Sequence, residues 1–191
     1  MTESTVRRGL IVGVDGSSSS NAAVEWAARD AALHGEPLTL VHVLMPPVTV
    51  TLPKVPLPAG FQQWQESAGR TMLDEAAAIA VKAASPDAIA IERRMVSGRA
   101  IASLAELSRD SRMVVVGRHG HGHLRHLLGS VSSGVAHHAL CPVAVIDDED
   151  PLMPGAAFAP VVVGIDGSPV SEAATAVAFD EASRRGVDLV A

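Results

Sequence analysis

A single cysteine, Cys141, is all this 191-residue chain contains, so an internal disulfide is excluded and a reducing compartment is expected. Charged residues are scarce at 19%, against 48% hydrophobic ones, a balance that excludes a disordered chain. Basic residues are outnumbered, leaving a formal charge of −6. A general nucleic-acid binder would need a basic face, so that class is excluded too. No apolar run approaches the roughly 20 residues of a membrane span. No signal-like apolar stretch stands between Met1 and the first strand pattern. The expectation is a cytosolic α/β protein without membrane or nucleic-acid partners.

What is present alternates between two periodicities. Leu10-Ile11-Val12-Gly13-Val14 is apolar throughout, as a strand buried on both faces would be, and ends in the turn cluster Asp15-Gly16-Ser17. From about Asn21 to Leu33 the pattern is helical, with Ala23, Trp26, Ala27 and Ala31 on one face and Gly35 at a left-handed C-cap. Leu38 to Leu44 is a second strand. Pro46, Pro47, Pro53, Pro56 and Pro58 make the next stretch an extended loop. A helix over Phe61 to Ala84 follows, with Trp64, Ala68, Ala76, Ala80 and Ala83 at helical spacing, ended by Ser85-Pro86. Ala88 to Val96 alternates and reads as a strand nearer the sheet edge. A helix from Ala100 to Leu107, a strand over Met113 to Val116, a helix from Ser130 to about Ala139 and a strand over Val143 to Ile146 complete the series. Such alternation predicts a parallel sheet with right-handed crossovers.

Residues 147–160 read as a linker, acidic and then rich in Pro and Ala. Beyond it, Val161-Val162-Val163-Gly164-Ile165-Asp166-Gly167-Ser168 repeats Leu10-Ile11-Val12-Gly13-Val14-Asp15-Gly16-Ser17 at an offset of 151 residues. The register holds through Ala27 and Ala178, Gly35 and Gly186, and Leu38 and Leu189, the mark of a duplication. The expected organisation is a first domain over 1–146, the linker, and the start of a second copy over 161–191.

Chemistry concentrates after the fourth strand. Gly117, Gly120 and Gly122 lead to Gly129-Ser130 at the opening of a helix. Bare α-carbons let a ligand approach the main chain, and a helix N-terminus offers free N–H groups and partial positive charge, which suits phosphate. A flexible loop capped by Ser130 explains the same residues. Asp15, at the carboxyl end of the first strand, faces the crevice where open parallel sheets bind ligands. It can accept hydrogen bonds from a ligand or make an ordinary turn with Gly16 and Ser17. His119, His121 and His123 alternate, but a glycine-rich loop is a poor metal scaffold, and solvated histidines are the better reading. No P-loop Gly-Lys-Ser/Thr and no Gly-x-Ser-x-Gly occur, and no catalytic set assembles.

Together these segments resemble the universal stress protein family. The resemblance rests on Ile11-Val12-Gly13-Val14-Asp15-Gly16-Ser17, on Leu40-Val41-His42-Val43, on Leu128-Gly129-Ser130-Val131-Ser132, and on His138-Ala139-Leu140-Cys141-Pro142-Val143-Ala144-Val145-Ile146. The repeated Val-Gly-Ile-Asp-Gly-Ser looks like the family's tandem-domain branch. The resemblance implies a Rossmann-like α/β domain whose five-stranded parallel sheet has the order 3-2-1-4-5 and is flanked by helices. ATP, with or without Mg2+, would lie across the carboxyl end of the sheet. By position, Asp15 would meet the adenosine and the backbone near Val43 the adenine. Gly117 and Gly120 would line the ribose and phosphate path, and Gly129, Ser130 and Val131 would hold the phosphates. Gly13, Arg118 and Gly122 join by adjacency. The family spaces its second glycine nine residues from Gly-Ser/Thr, whereas eight separate Gly120 from Gly129, which implies weakened or altered binding. The leading expectation is a cytosolic ATP-binding regulatory protein rather than an enzyme, with slow hydrolysis left open. It would be a homo-oligomer through the last strand of the first domain. The alternatives are a nucleotide-free interaction module and, third, a small-molecule transferase.

Overall fold

The inner strands are short and largely apolar on both faces, and this selects a sheet covered by helices on either side. The computed structural model describes residues 9–45, 60–84, 88–120, 129–147 and 159–191. It divides into two compact units, Met1–Asp148 and Glu149–Ala191.

In the first unit the elements run β1 (Leu10–Gly13), α1 (Ser18–His34), β2 (Leu38–Leu44), α2 (Phe61–Ala84), β3 (Ile91–Ser97), α3 (Ala100–Leu107), β4 (Met113–Gly117), α4 (Ser130–His138) and β5 (Val143–Ile146). The strands form one parallel sheet of order β3-β2-β1-β4-β5. The expected strand order is therefore the observed one, and the alternating β3 does lie at an edge. The strands' period of two sorts the core into two layers. Leu10 and Val12 of β1, Leu38 and Leu40 of β2 and Val115 of β4 pack beneath the small face of α1 (Ala23, Ala27, Ala31) and Leu73, Ala76 and Ala80 of α2. Ile11, Val41, Val114 and Val116 point to the other side, against Leu104 of α3 and Val135 of α4. Small alanines let α1 sit close to both sheet and α2. Each large aliphatic side chain so buried stabilises the unit by about 1.5–3 kcal/mol.

α1 starts three residues before the sequence pattern suggests. Ser17 caps it, its Oγ accepting from the Ser20 N–H at 3.2 Å, and Gly35 closes it at φ 65°. In α2 the buried stripe is Gly69, Leu73, Ala76 and Ala80. Trp64, read with that stripe, is instead 66% exposed and rests on Phe61 with ring centroids 6.0 Å apart. Five residues separate Trp64 from Gly69, about 140° around a helix, so the two face different ways. The proline-rich loop, Ser85-Pro86 and most of the expected linker lie outside the described residues.

The second unit holds β6 (Val161–Val162), α5 (Pro169–Arg185) and β7 (Leu189–Val190), with β6 parallel to β7. Its local geometry follows the sequence repeat. Val161 pairs with Leu189 as Leu10 pairs with Leu38. Ser168 caps α5 as Ser17 caps α1, and Gly186 closes it at φ 64°.

Candidate functional site at the carboxyl edge of the sheet

Where β1, β2 and β4 end, their chains turn away from one another and leave a cavity of about 330 Å³. Gly13, Val14 and Asp15 line it from β1, Val41, His42 and Val43 from β2, and Val116 through Gly120 from β4. Gly129 through Ser132 close it from the start of α4, and Ala100 and Leu104 of α3 contribute an apolar patch. Nearly every residue singled out in the sequence thus faces one space: Gly13, Asp15, Val43, Gly117, Arg118, Gly120, Gly129, Ser130 and Val131. Gly122 lies outside the described residues, as do His121 and His123.

The glycines have different physical reasons. A Cβ on Gly117 would sit 2.6 Å from the carbonyl carbon of Ser19 and 2.7 Å from its Oγ, so β4 can approach the start of α1 only without a side chain there. A Cβ on Gly120 would stand 2.9 Å from Asp15 Oδ2, closing the gap between the two walls. Gly129 donates its N–H to the Arg118 carbonyl at 2.9 Å, and a Cβ on it would lie 3.0 Å from that oxygen. Gly129 is also the N-cap of α4, and no side chain caps this end. The first-turn N–H groups of α4 consequently have no intrahelical acceptor, and they carry the positive end of the helix dipole into the cavity.

Asp15 fulfils the turn role proposed for it. Its Oδ1 accepts from the Ser17 N–H at 3.0 Å and the Ser17 Oγ–H at 2.6 Å. That arrangement fixes the carboxylate at the cavity wall and leaves Oδ2 beside Gly120. His42 holds one tautomer-defining contact, Nδ1 to the Val14 carbonyl at 2.8 Å, which ties β2 to the end of β1. The imidazoles of His42 and His119 both belong to the lining.

Several contributors were invisible in the sequence. Ser19 is buried, and its Oγ accepts from the His119 N–H and donates to the Ile146 carbonyl, both at 3.3 Å. Ser132 is buried, with its Oγ 3.0 Å from the Arg118 carbonyl and 2.9 Å from that of Gly129. These hydroxyls hold the segment after β4 against α1, α4 and the end of β5. One signal that was available is strand alternation, which places Val41 and Val43 on the same face of β2. Arg118 pairs with the carboxylate of Asp147, just beyond β5. The site therefore offers main-chain N–H donors of α4, a fixed carboxylate and an apolar floor. It suits a ligand with an anionic group, a hydrogen-bonding middle and a flat apolar part.

Known proteins carry the same arrangement of elements. Residues 7–147 match the Universal stress protein family. Universal stress protein Rv2623 of Mycobacterium tuberculosis strain H37Rv is 50% identical over 187 residues, covering 96% of this chain and 62% of its own length. The chain thus spans less than two thirds of this curated relative. A crystal structure of a universal stress protein in complex with cAMP is 26% identical, with a TM-score of 0.56, over 75% of this chain and 99% of that one. A universal stress protein from Archaeoglobus fulgidus DSM 4304 shares the fold at 20% identity and a TM-score of 0.73, over 97% of this chain and 68% of that one. With a family match over residues 7–147, a relative 50% identical across 96% of the chain and the fold in agreement, this chain belongs to the universal stress protein family.

Proposed function

We propose that the first unit binds an adenine nucleotide, ATP with or without Mg2+, as a regulatory rather than a catalytic event. The observation that carries this is the convergence of Gly117, Gly120 and the uncapped first turn of α4 on one cavity that Asp15 also lines. The phosphates lie on the α4 amides, Asp15 meets the adenosine, Gly117 and Gly120 line the ribose and phosphate path, and the base rests near Val43. The relative solved with cAMP supports the adenine class. Binding orders the glycine loop and biases conformation or assembly in the cytoplasm. The second unit belongs to a second domain of the same kind, a reading supported by β6, α5 and β7 following the order of β1, α1 and β2.

Calorimetry with ATP tests this. Micromolar binding is expected for the wild type, with a free energy near −8 kcal/mol, and its loss in Gly117→Ser and Gly120→Glu. Equal affinity in all three proteins would remove the assigned site. A second reading, a nucleotide-free assembly module, is favoured by β5, which forms a sheet edge with all four residues partly buried. Mass spectrometry of the purified protein for bound nucleotide separates the two.

A further inference from the structure

We infer that Asp147, outside the cavity lining, is a specificity-determining residue that sets how strongly the pocket discriminates ligands by charge, acting through Arg118. The inference rests on the nucleotide reading above and adds a residue that the sequence assigns to a linker.

The main chain of Arg118 is clamped on both sides. Its N–H donates to the Ile146 carbonyl at 2.7 Å, and its own carbonyl accepts from the Gly129 N–H at 2.9 Å and the Ser132 Oγ at 3.0 Å. The residue is therefore fixed beside the first turn of α4, and what remains adjustable is its side chain. That side chain is held by Asp147, in a pair whose partners are 34% and 31% exposed. At such exposure water and salt compete with the pair, so it can open for a stronger anion.

Two electrostatic consequences have the same sign. While Asp147 holds the guanidinium, its carboxylate neutralises a cation of the cavity lining. The same carboxylate repels an approaching phosphate. Asp15 adds a further negative charge to the cavity lining. The positive potential at the anion end then comes mainly from helix amides, which act at short range, and each additional phosphate on a ligand gains little. Removing the charge of Asp147 releases Arg118 toward the ligand and deletes the repulsion, so ligands of higher negative charge gain most.

The test is calorimetry on the full chain with adenosine, AMP and ATP at low and physiological salt. The proteins are wild type, Asp147→Asn, Asp147→Glu, Arg118→Gln and the double variant Asp147→Asn/Arg118→Gln. Glu25→Gln, an exposed charge on α1 paired with Arg29, controls for net charge. In Asp147→Asn the affinity ratio of ATP over adenosine should rise about fivefold, the scale of a half-exposed charge pair, and more at low salt. Asp147→Glu and Glu25→Gln should keep the wild-type ratio, and the double variant should lose most of the gain. Arg118→Gln alone leaves the Asp147 carboxylate unneutralised and should lower the ratio by about threefold to fivefold, which probes the inference even where Asp147→Asn folds poorly. An unchanged ratio in Asp147→Asn or in Arg118→Gln, or a fall in Arg118→Gln that the double variant does not reverse, overturns the inference while leaving nucleotide binding intact. Failure of the wild type to bind any of the three ligands overturns the nucleotide reading, and this inference with it.

Discussion

At the scale of single residues, the site depends on atoms that are missing. Gly117→Ala places a methyl group 2.6 Å from the Ser19 main chain. The cost expected from such overpacking is about 1–3 kcal/mol, read as a lower denaturation midpoint in guanidinium. A variant as stable as the wild type would show that β4 and α1 need no such close approach. Arg112 makes the opposite point about charge. It donates to Asp30 Oδ2 at 2.5 Å and to Glu36 Oε2 at 2.6 Å. Burial alone would lower its pKa, but the hydrogen bonds and charges of Asp30 and Glu36 outweigh that and raise it. Its contribution is complete below the ordinary guanidinium value and lost only as pH climbs through the raised one, so it persists at every pH of practical use. Arg112→Met strips a guanidinium from Asp30, which is 1% exposed. A loss of about 2–3 kcal/mol is expected, discounted for the partial exposure of Arg112 and for His34 nearby, and equilibrium unfolding measures it. Cys141 titrates high because burial disfavours its thiolate, a hydrogen bond from the Val114 backbone offsetting part of that. Slow alkylation by iodoacetamide at pH 8 is the expected outcome, and the rate of a free small thiol would contradict it.

At the scale of elements, legibility in the sequence followed the range of the forces involved. Strands announce themselves as runs of mainly apolar residues, and β2 and the edge strand β5 have the bounds read from the sequence. Caps are local too, so Gly35 and Gly186 were readable from position. The start of α1 was not, because Ser18, Ser19 and Ser20 are poor helix formers that become helical through the Ser17 cap and through hydroxyl contacts to Gly13 and Ile146. Buried Ser19 and Ser132 belong to the same class, since only tertiary approach decides which serines face the interior. Asp147 read as one acid of a linker for the same reason, its partner lying 29 residues earlier. Trp64 misled because a large apolar residue at approximate spacing resembles core until the stripe is followed to Gly69. The cap carries a prediction. Ser17→Ala removes both the α1 cap and a donor to Asp15 Oδ1, so a loss of about 1 kcal/mol is expected, together with weaker ligand binding by calorimetry. Unchanged stability would contradict the capping role.

At the scale of the molecule, two units built on the same opening differ in how much they bury. Ile11 and Ala28 are fully enclosed in the first, whereas their counterparts Val162 and Phe179 are 73% and 63% exposed in the second. The first unit encloses its β1 between β2 and β4, while β6 pairs with β7 in a two-stranded sheet. Exposed apolar area of this kind promotes association. Phe179→Ser combined with Val162→Thr is therefore expected to reduce self-association in light scattering without altering ligand affinity in the first unit. The proposed binding of polyphosphate by main-chain donors of β4 and α4 is most directly probed by amide chemical shifts of the 15N-labelled chain during an ATP titration. Saturable shifts at Gly117, Gly129, Ser130 and Val131, with smaller ones near Asp15 and Val43, are the predicted result. Shifts confined to other parts of the chain, or none at millimolar ATP, would contradict it.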